Sequence, residues 1–201
     1  MKLVLATRNL GKVRELSDML SDQSAIEVLC MKDFPEAPEV VEDGETYQAN
    51  AKKKAVHVAK YTSLLALSDD SGLEVDALGG APGVHSARYA GSDASDADRI
   101  SKLLAAIKNV PDNERTGRFR CAVAIAEPSG RTDVVVGVCD GSIIRQLRGE
   151  LGFGYDPVFV PQGYHQTFAE LGEQIKNRIS HRAKAFRMAL KLIKHIYMPM
   201  Q

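Results

Sequence analysis

An apolar run at residues 64–67 is closely followed by two adjacent carboxylates, Asp69 and Asp70, in the stretch 65-LALSDDSG-72. The run predicts a buried strand over residues 64–68, with both acids at its end. Two neighbouring like charges repel, and removing either from water costs several kcal/mol unless it has a partner. Whatever fold the chain adopts must therefore supply a partner for these two aspartates.

The rest of the chain alternates apolar runs typical of strands with segments that show helical spacing. We expect strands at residues 2–6, 26–31, 64–68, 118–127, 132–139, 142–147 and 158–160. We expect helices at residues 11–21, 46–61, 96–107 and 180–196, and a turn-rich segment at residues 72–84. The sequence PSGR predicts a hairpin between residues 118–127 and 132–139, so the pattern indicates an α/β fold with a mixed sheet.

Composition excludes several classes of protein. The 201 residues allow one large domain, or two lobes with one core, and the 26 basic and 26 acidic residues give a net charge of zero. We therefore expect no nucleic-acid or membrane partner, and an acidic ligand would need a local positive cluster. Apolar stretches are too short for a signal peptide or a membrane span, so we expect a cytoplasmic protein. Cys30, Cys121 and Cys139 predict three buried, inert thiols.

The segment 7-TRNLGK-12 is a candidate phosphate cradle. It lies where a strand meets a helix, and the first helical turn presents unpaired N–H groups and partial positive charge. Thr7 and Asn9 offer hydrogen bonds, Gly11 allows close approach and Lys12 adds a charge. The alternative is an ordinary strand–helix turn capped by Asn9.

The two aspartates are candidate ligands for Mg²⁺, which would let both stay ionised. Mg²⁺ in proteins commonly uses one or two carboxylates together with substrate phosphate oxygens. Glu42, in the acidic loop 41-VEDG-44, is a candidate further ligand. The alternative is that Asp69 or Asp70 caps a turn formed by the SGL backbone.

Two further segments could bind a nucleotide. In 152-GFGYDP-157, two glycines flank Phe153, whose ring could stack on a base, with Asp156 beside it as an acceptor. The alternative places Phe153 in the core. In 176-KNRISHR-182, Lys176, Arg178, His181 and Arg182 form the local basic cluster that an acidic ligand would need; the alternative is a solvated face.

Taken in order, TRNLGK, the acidic loop, SDDSGLEVDALGGAPGVHSARYAG, GFGYDP and SHR resemble the inosine triphosphate pyrophosphatase family over nearly the whole chain. The resemblance implies one domain, residues 1–201, with an elongated two-lobed fold, a nucleotide cleft between the lobes, and a homodimer. It also implies Mg²⁺-dependent hydrolysis of non-canonical purine triphosphates (ITP, dITP, XTP) to monophosphate and pyrophosphate.

The resemblance also assigns roles to residues. Asp70 would accept a proton and bind metal, with Glu42 and Asp69 as further candidate ligands. Ser71 would touch substrate. The phosphates would be held by Thr7, Arg8, Asn9, Leu10, Gly11 and Lys12. The nucleoside would be lined by Phe153, Gly154, Tyr155, Asp156, Lys176, His181 and Arg182. One departure is Ala49, where the family commonly has glutamate.

Three other functions remain open at this point. A related Maf-like pyrophosphatase would prefer modified pyrimidine or methylated nucleotides, but GFGYDP and SHR argue against it. A nucleotide sensor without hydrolysis would not need three acids at Asp69, Asp70 and Glu42. An RNA-binding protein would show salt-dependent affinity for RNA, which the zero net charge disfavours.

Overall fold

The computed structural model describes residues 1–20 and 25–197, and within them five helices and six strands form a mixed α/β fold. The strands are β1 (Lys2–Leu5), β2 (Glu27–Cys30), β3 (Leu65–Val75), β4 (Thr116–Ala126), β5 (Thr132–Ile143) and β6 (Phe159–Pro161). The helices are α1 (Leu10–Leu20), α2 (Tyr47–Thr62), α3 (Asp96–Ala106), α4 (Phe168–Ile179) and α5 (His181–Leu192), which is followed by a π-helical turn, Ile193–Tyr197.

The six strands form one sheet in the order β2-β1-β3-β4-β5-β6. Strand β1 runs parallel to both β2 and β3, whereas β5 and β6 are antiparallel. The predicted mixed sheet with flanking helices is therefore confirmed. Parallel strands need crossover connections, and here α1 and α2 are the helices that precede β2 and β3.

The chain divides into two compact units, each with its own hydrophobic cluster. Unit 1 comprises residues 1–70, 121–137 and 182–201, and its core joins β1, the start of β3, the end of β4 and α5. Unit 2 comprises residues 71–120 and 138–181, and its core is rich in aromatic rings, among them Phe119, Phe159 and Phe168. The prediction of a single domain over residues 1–201, with a nucleotide cleft, stays a prediction.

The prediction for the aspartate strand was too short. Strand β3 does not end at residue 68; it continues through Asp69 and Asp70 to Val75, and almost every residue along it is buried. A 3₁₀ turn, Asp76–Leu78, follows the strand directly and ends at Gly79, whose φ of 61° favours glycine. Adjacent acids and a glycine are typical of a turn, so the sequence pattern did not predict the second half of this strand. Its acids are tolerated there because residues distant in sequence pair with them.

In the second half of the chain, one predicted strand was wrong and one helix was not predicted. No separate strand covers residues 142–147: Ser142 and Ile143 end β5, and an irregular segment follows. Buried Arg115 donates to the carbonyls of Ile143 and Ile144, so a side chain takes bonds that a strand partner would otherwise supply. Helix α4 was not predicted, although its capping box, 167-TFAE-170, is a recognised start signal.

The remaining elements agree with prediction to within a few residues. The helix predicted at residues 11–21 is α1, and its last predicted residue lies outside the described part of the chain. Cys121 and Cys139 are buried as expected, but Cys30 is only half-buried, and none of the three forms a disulfide in the described part of the chain. Within residues 1–20 and 25–197, every helix is too short or too polar to cross a membrane.

Candidate active site

Asp69 and Asp70 lie in the middle of β3 and meet different partners. Successive side chains of a strand point to opposite faces of the sheet, so two adjacent aspartates are presented to different neighbours. The carboxylate of Asp69 accepts from Lys12 Nζ at 2.9 Å and faces Arg182 Nε at 3.3 Å. The carboxylate of Asp70 accepts from the amide nitrogen of Asn50 at 3.0 Å. Each of the two aspartates therefore has its own polar partners, which offset the repulsion between them.

Asp69 is held ionised by a buried charge network. Burial alone would raise its pKa, but the charges of Lys12, Arg182 and Lys54 together lower that pKa well below its ordinary value. Arg182 also donates to Glu15 on α1. Burial would lower the pKa of its guanidinium, but the charges of Asp69 and Glu15 outweigh burial, so that pKa is raised. One oxygen of Asp69, Oδ1, is buried and has no hydrogen-bond partner among residues 1–20 and 25–197.

Asp70 shows the opposite shift. Burial raises the pKa of its carboxyl, and the charge of Lys54 and the hydrogen bond from Asn50 offset only part of that effect. Its side chain is oriented by Asn50, and the residue is only 7% exposed. A carboxylate with a raised pKa is a better proton acceptor than an ordinary aspartate, which suits a general base.

The acidic loop is fastened to α2 and β3 by two side chains that lie one helical turn apart. Asn50 accepts from the Gly44 N–H at 2.7 Å and donates to Asp70. Lys54 donates to Glu42 at 2.8 Å and to the Asp69 carbonyl at 2.8 Å. A side chain at Gly44 would meet the Asn50 amide oxygen at 2.7 Å, so only glycine allows this close approach. Glu42 and the two aspartates are thereby held in one region of unit 1.

Asn50 and Lys54 are site residues that sequence reasoning missed. They follow each other at a spacing of four on α2, which places them on one face of the helix. The burial of Asn50, at 1% exposure, could not be inferred from its type. The departure at Ala49 lies beside this contact: Ala49 is exposed, and its N–H is bonded by the helix cap Thr46.

The segment 7-TRNLGK-12 forms the turn between β1 and α1, as predicted. Asn9 Oδ1 accepts from the Lys12 N–H at 3.1 Å, and Thr7 Oγ1 accepts from the Asn9 N–H at 3.2 Å, so the capping interpretation of Asn9 is confirmed. Arg8 donates to the Ala37 carbonyl, and Leu10 is 57% exposed. Phosphate binding by this turn, including Gly11, stays a prediction, and Lys12 brings the turn next to Asp69.

In unit 2, the segment 152-GFGYDP-157 presents Phe153 as a half-buried ring. Asp156 accepts from the Phe153 N–H at 2.9 Å and from Lys176 Nζ at 2.6 Å. Lys176 Nζ also lies 4.4 Å from the centroid of the Phe153 ring, a cation–π contact. A side chain at Gly152 would collide with the Asp156 carboxylate at 2.2 Å. The lysine therefore contacts one face of Phe153, and a base would have to stack on the other.

The basic cluster 176-KNRISHR-182 is not a solvated face. Lys176, His181 and Arg182 are buried, and only Arg178 is exposed. The His181 ring stacks on Phe119 with centroids 4.7 Å apart. The structure groups Lys176 and His181 with unit 2, and Arg182 with Asp69 and Glu15 in unit 1.

Two other predicted residues have plain surroundings. Tyr155 is buried, its hydroxyl donates to the Ser86 carbonyl at 2.9 Å, and burial raises the pKa of the phenol. Ser71 follows Asp70 on β3 and is half-buried. Tyr155 thus supports the loop that carries Phe153, whereas substrate contact by Ser71 stays a prediction.

The donor set is compatible with Mg²⁺. Within residues 1–20 and 25–197, no group of three or more His, Cys, Asp and Glu side chains is arranged to hold a metal ion by itself. Mg²⁺ often binds through one or two carboxylates and completes its shell with water and phosphate oxygens. The buried carboxylate of Asp70, the unsatisfied Oδ1 of Asp69 and the nearby Glu42 are hard oxygen donors of the required kind.

The fold and the site define an α/β protein with carboxylates and cations concentrated around a central strand. The chain belongs to the Ham1 family, whose model matches residues 3–192. It is 53% identical over 197 residues to a dITP/XTP pyrophosphatase of Desulforamulus reducens, covering 98% of both chains. It is 51% identical over 184 residues to a dITP/XTP pyrophosphatase of Geobacillus kaustophilus, covering 92% of this chain and 90% of that one.

Solved structures agree with this assignment. A HAM1 protein from Coxiella burnetii superposes with a TM-score of 0.88 at 41% identity, covering 97% of this chain and 99% of that one. A nucleoside-triphosphatase described as a dITP/XTP pyrophosphatase, from Mycobacterium abscessus, superposes with a TM-score of 0.76 at 43% identity, covering 94% and 99%. The α/β fold is therefore the fold of the family.

Proposed function

We propose that the protein hydrolyses non-canonical purine nucleoside triphosphates (ITP, dITP and XTP) to the monophosphate and pyrophosphate, and so removes them from the nucleotide pool. The observation that carries the proposal is that two adjacent carboxylates of β3 have different partners. Asp69 lies 2.9 Å from Lys12 Nζ and 3.3 Å from Arg182 Nε, while Asp70 accepts from the amide nitrogen of Asn50 at 3.0 Å. The similarity to dITP/XTP pyrophosphatases over nearly the full length supports the choice of substrate.

In this proposal the phosphates lie against the turn at residues 7–12. The helix start and Lys12 supply positive charge, and Lys12 can leave Asp69 because Arg182 remains beside that carboxylate. Asp70 accepts the proton of the attacking water, and Asn50 keeps its carboxylate in one orientation. Asp70, Glu42 and Asp69 are the candidate ligands of Mg²⁺, which when bound would polarise phosphoryl oxygens and offset their charge.

We propose that the nucleoside contacts residues of unit 2. The face of Phe153 opposite Lys176 stacks on the base, and Asp156 and Lys176 hold the ring in place. We further propose a cytoplasmic homodimer, since the substrates belong to the nucleotide pool and the family resemblance implies the dimer. Light scattering during size-exclusion chromatography tests the dimer directly.

Hydrolysis of ITP, XTP, ATP and GTP side by side, with Mg²⁺ and with a chelator, tests the function. We expect ITP and XTP to be the preferred substrates, pyrophosphate rather than phosphate as the product, and loss of turnover in chelator. In water labelled with ¹⁸O, attack at the α-phosphorus puts the label in the monophosphate, whereas attack at the β-phosphorus puts it in pyrophosphate. Binding of ITP without turnover would indicate a sensor instead.

We propose that the enzyme selects the base through hydrogen-bond donors on Arg182 and His181 that face purine position 6. ITP and XTP carry an oxygen at purine position 6, where ATP carries an amino group, and an unpaired buried donor costs about 1–3 kcal/mol. We expect Arg182→Ala to lower kcat/KM for ITP more than for ATP, and His181→Ala to act the same way with a smaller effect. Because Arg182 already contacts Asp69 and Glu15, an equal fall for both substrates would show that it supports the site without reading the base.

A further inference from the structure

We propose that Asp96, at the start of α3, is a positioning residue that holds the Phe153 ring in its stacking position by anchoring the next residue, Gly154. The inference rests on the proposed function, because it needs Phe153 to stack on the base. Its basis is one hydrogen bond: the Asp96 carboxylate accepts from the Gly154 N–H at 2.6 Å, across 58 residues of sequence. Both residues belong to unit 2.

Asp96 is not occupied by capping its own helix. The cap of α3 is Ser95, which accepts from the Asp98 N–H, and Asp98 bonds the Ser95 N–H in return. That reciprocal box supplies the usual acidic contribution at a helix start. The carboxylate one residue after the cap is therefore available for a contact outside the helix, and it is directed at Gly154.

The carboxylate of Asp96 is itself held in place. Its other oxygen lies 3.1 Å from Arg99 Nη2, one turn along α3. Arg99 in turn donates to the carbonyls of Ala87, Ala94 and Ser95 at 3.0, 2.7 and 3.1 Å. An arginine with that many backbone acceptors has little freedom, so it fixes the orientation of Asp96.

The loop that receives this contact is fastened on both sides of the ring. The N–H of Phe153 is bonded by Asp156, and the N–H of Gly154 by Asp96, so two consecutive amides are held by two carboxylates. Gly154 has a φ of 63°, and a side chain there would meet nothing within 4 Å. Its glycine is required by backbone conformation and not by space, and that conformation is the one in which its N–H reaches Asp96.

Three residues therefore hold the Phe153 ring and its loop through three different contacts. Lys176 contacts one face of the Phe153 ring. Asp156 accepts from the N–H of Phe153, and Asp96 accepts from the N–H of Gly154. Loss of Asp96 would leave the ring present but free to tilt. Ring order contributes to nucleoside binding, because a stacking group that is already in place loses less entropy when the base arrives. Phosphate binding should be unaffected.

The test compares Asp96→Ala with the matched control Asp98→Ala, which removes the capping box from the same helix. We expect Asp96→Ala to raise KM for ITP about tenfold, the loss typical of a hydrogen bond to a charged group, with kcat within about twofold. Asp98→Ala should lower thermal stability at least as much and leave KM unchanged. Equal increases of KM in both variants would overturn the proposal, since α3 stability would then explain the effect.

Two further measurements separate positioning from general damage. Tripolyphosphate, used as a competitive inhibitor that lacks a base, should bind the wild type and Asp96→Ala equally well. In a Phe153→Ala background, Asp96→Ala should raise KM no further, because the ring through which it acts is absent. Weaker tripolyphosphate binding, or a full additional loss in the double variant, would overturn the inference. If Phe153→Ala alone leaves KM unchanged, the proposed stacking fails, and the role of Asp96 fails with it.

Discussion

Each of the two compact units contains a lysine paired with a buried aspartate, and the two pairs have different surroundings. In unit 1, Lys12 Nζ lies 2.9 Å from Asp69, and the lysine side chain is 16% exposed. In unit 2, Lys176 Nζ lies 2.6 Å from Asp156, and that lysine side chain is 5% exposed. Asp69 has a second cation, Arg182, whereas Asp156 has a backbone N–H and an aromatic ring close to its lysine.

The difference indicates two uses for the same chemical pair. Lys12 can turn toward a phosphate without leaving Asp69 uncompensated, because Arg182 stays in place. Loss of Lys176 would remove its ion pair with buried Asp156 and its contact with the Phe153 ring. The first pair is suited to ligand exchange and the second to rigidity. The predictions below test that distinction, from the largest expected effect to the smallest.

The largest effect is expected at Asp70, the carboxylate that belongs to neither pair. Asp70→Asn should keep the fold and nucleotide affinity but reduce kcat by about 10² to 10⁴, because the amide preserves shape and lacks the basic oxygen. Steady-state kinetics at saturating Mg²⁺ measure it. Asp76→Asn, at an exposed carboxylate paired with Arg118, is the control and should stay near the wild type. A normal kcat in Asp70→Asn would remove Asp70 from the chemistry.

The two lysines should differ in their contribution to stability. Lys176→Met should lower the free energy of unfolding by about 3–5 kcal/mol, because the buried Asp156 carboxylate loses a cation at 2.6 Å. Lys12→Met should lower it by only about 1–2 kcal/mol, because Arg182 still neutralises Asp69. Urea denaturation of both variants measures the difference. Adding Asp156→Asn to Lys176→Met should restore part of the loss, and equal losses for the two lysines would refute the contrast.

Acid should weaken the unit 1 network in a way that depends on Asp69. Its pKa is lower in the folded than in the unfolded protein, so its stabilisation is complete above the unfolded pKa and is lost as pH falls toward the folded one. Below about pH 4, the stability advantage of wild type over Asp69→Asn should shrink by about 1.4 kcal/mol per pH unit. Denaturation between pH 6 and pH 3 measures it. If the difference in unfolding free energy between wild type and Asp69→Asn stays constant across that range, the ionised Asp69 does not stabilise the folded protein.

The smallest effect concerns ligand exchange by Lys12. Lys12→Ala should weaken binding of a triphosphate about tenfold, as expected for loss of one charge-assisted contact, and binding of the monophosphate much less. Calorimetry with a non-hydrolysable ITP analogue and with IMP measures both. Equal weakening of the two ligands would place Lys12 away from the terminal phosphates and make its pair with Asp69 as static as the pair in unit 2.

Much of the fold followed from local pattern, because apolar periodicity reports which face of an element is buried. Helices α1, α2, α3 and α5 begin and end close to the predicted residues. Helix α4 was missed because the glycines and charges around it obscure its period, and Gly172 does interrupt it with a φ of 75°. The extension of β3 was missed because two acids and a glycine resemble a turn unless their partners are known.

The site was partly predictable for a similar reason. Motif order pointed to Asp69, Asp70 and Phe153 and to the residues of the family assignment, since a motif records chemistry that stays local in sequence. Asn50, Lys54 and Asp96 were not found, because their importance comes from atoms they meet at long range. Asn50 contacts Asp70 across 20 residues, and Asp96 contacts Gly154 across 58.

The sequence by itself determined the α/β class, the family and the presence of two adjacent acids beside a strand. Only the tertiary structure decided that these identical neighbours behave in opposite ways. Asp69 receives Lys12 and Arg182, the latter from 113 residues away, and its pKa is lowered. Asp70 receives a neutral amide, and burial raises its pKa. The physical reason is that a strand alternates its side chains between two faces, and the fold places different charges on each.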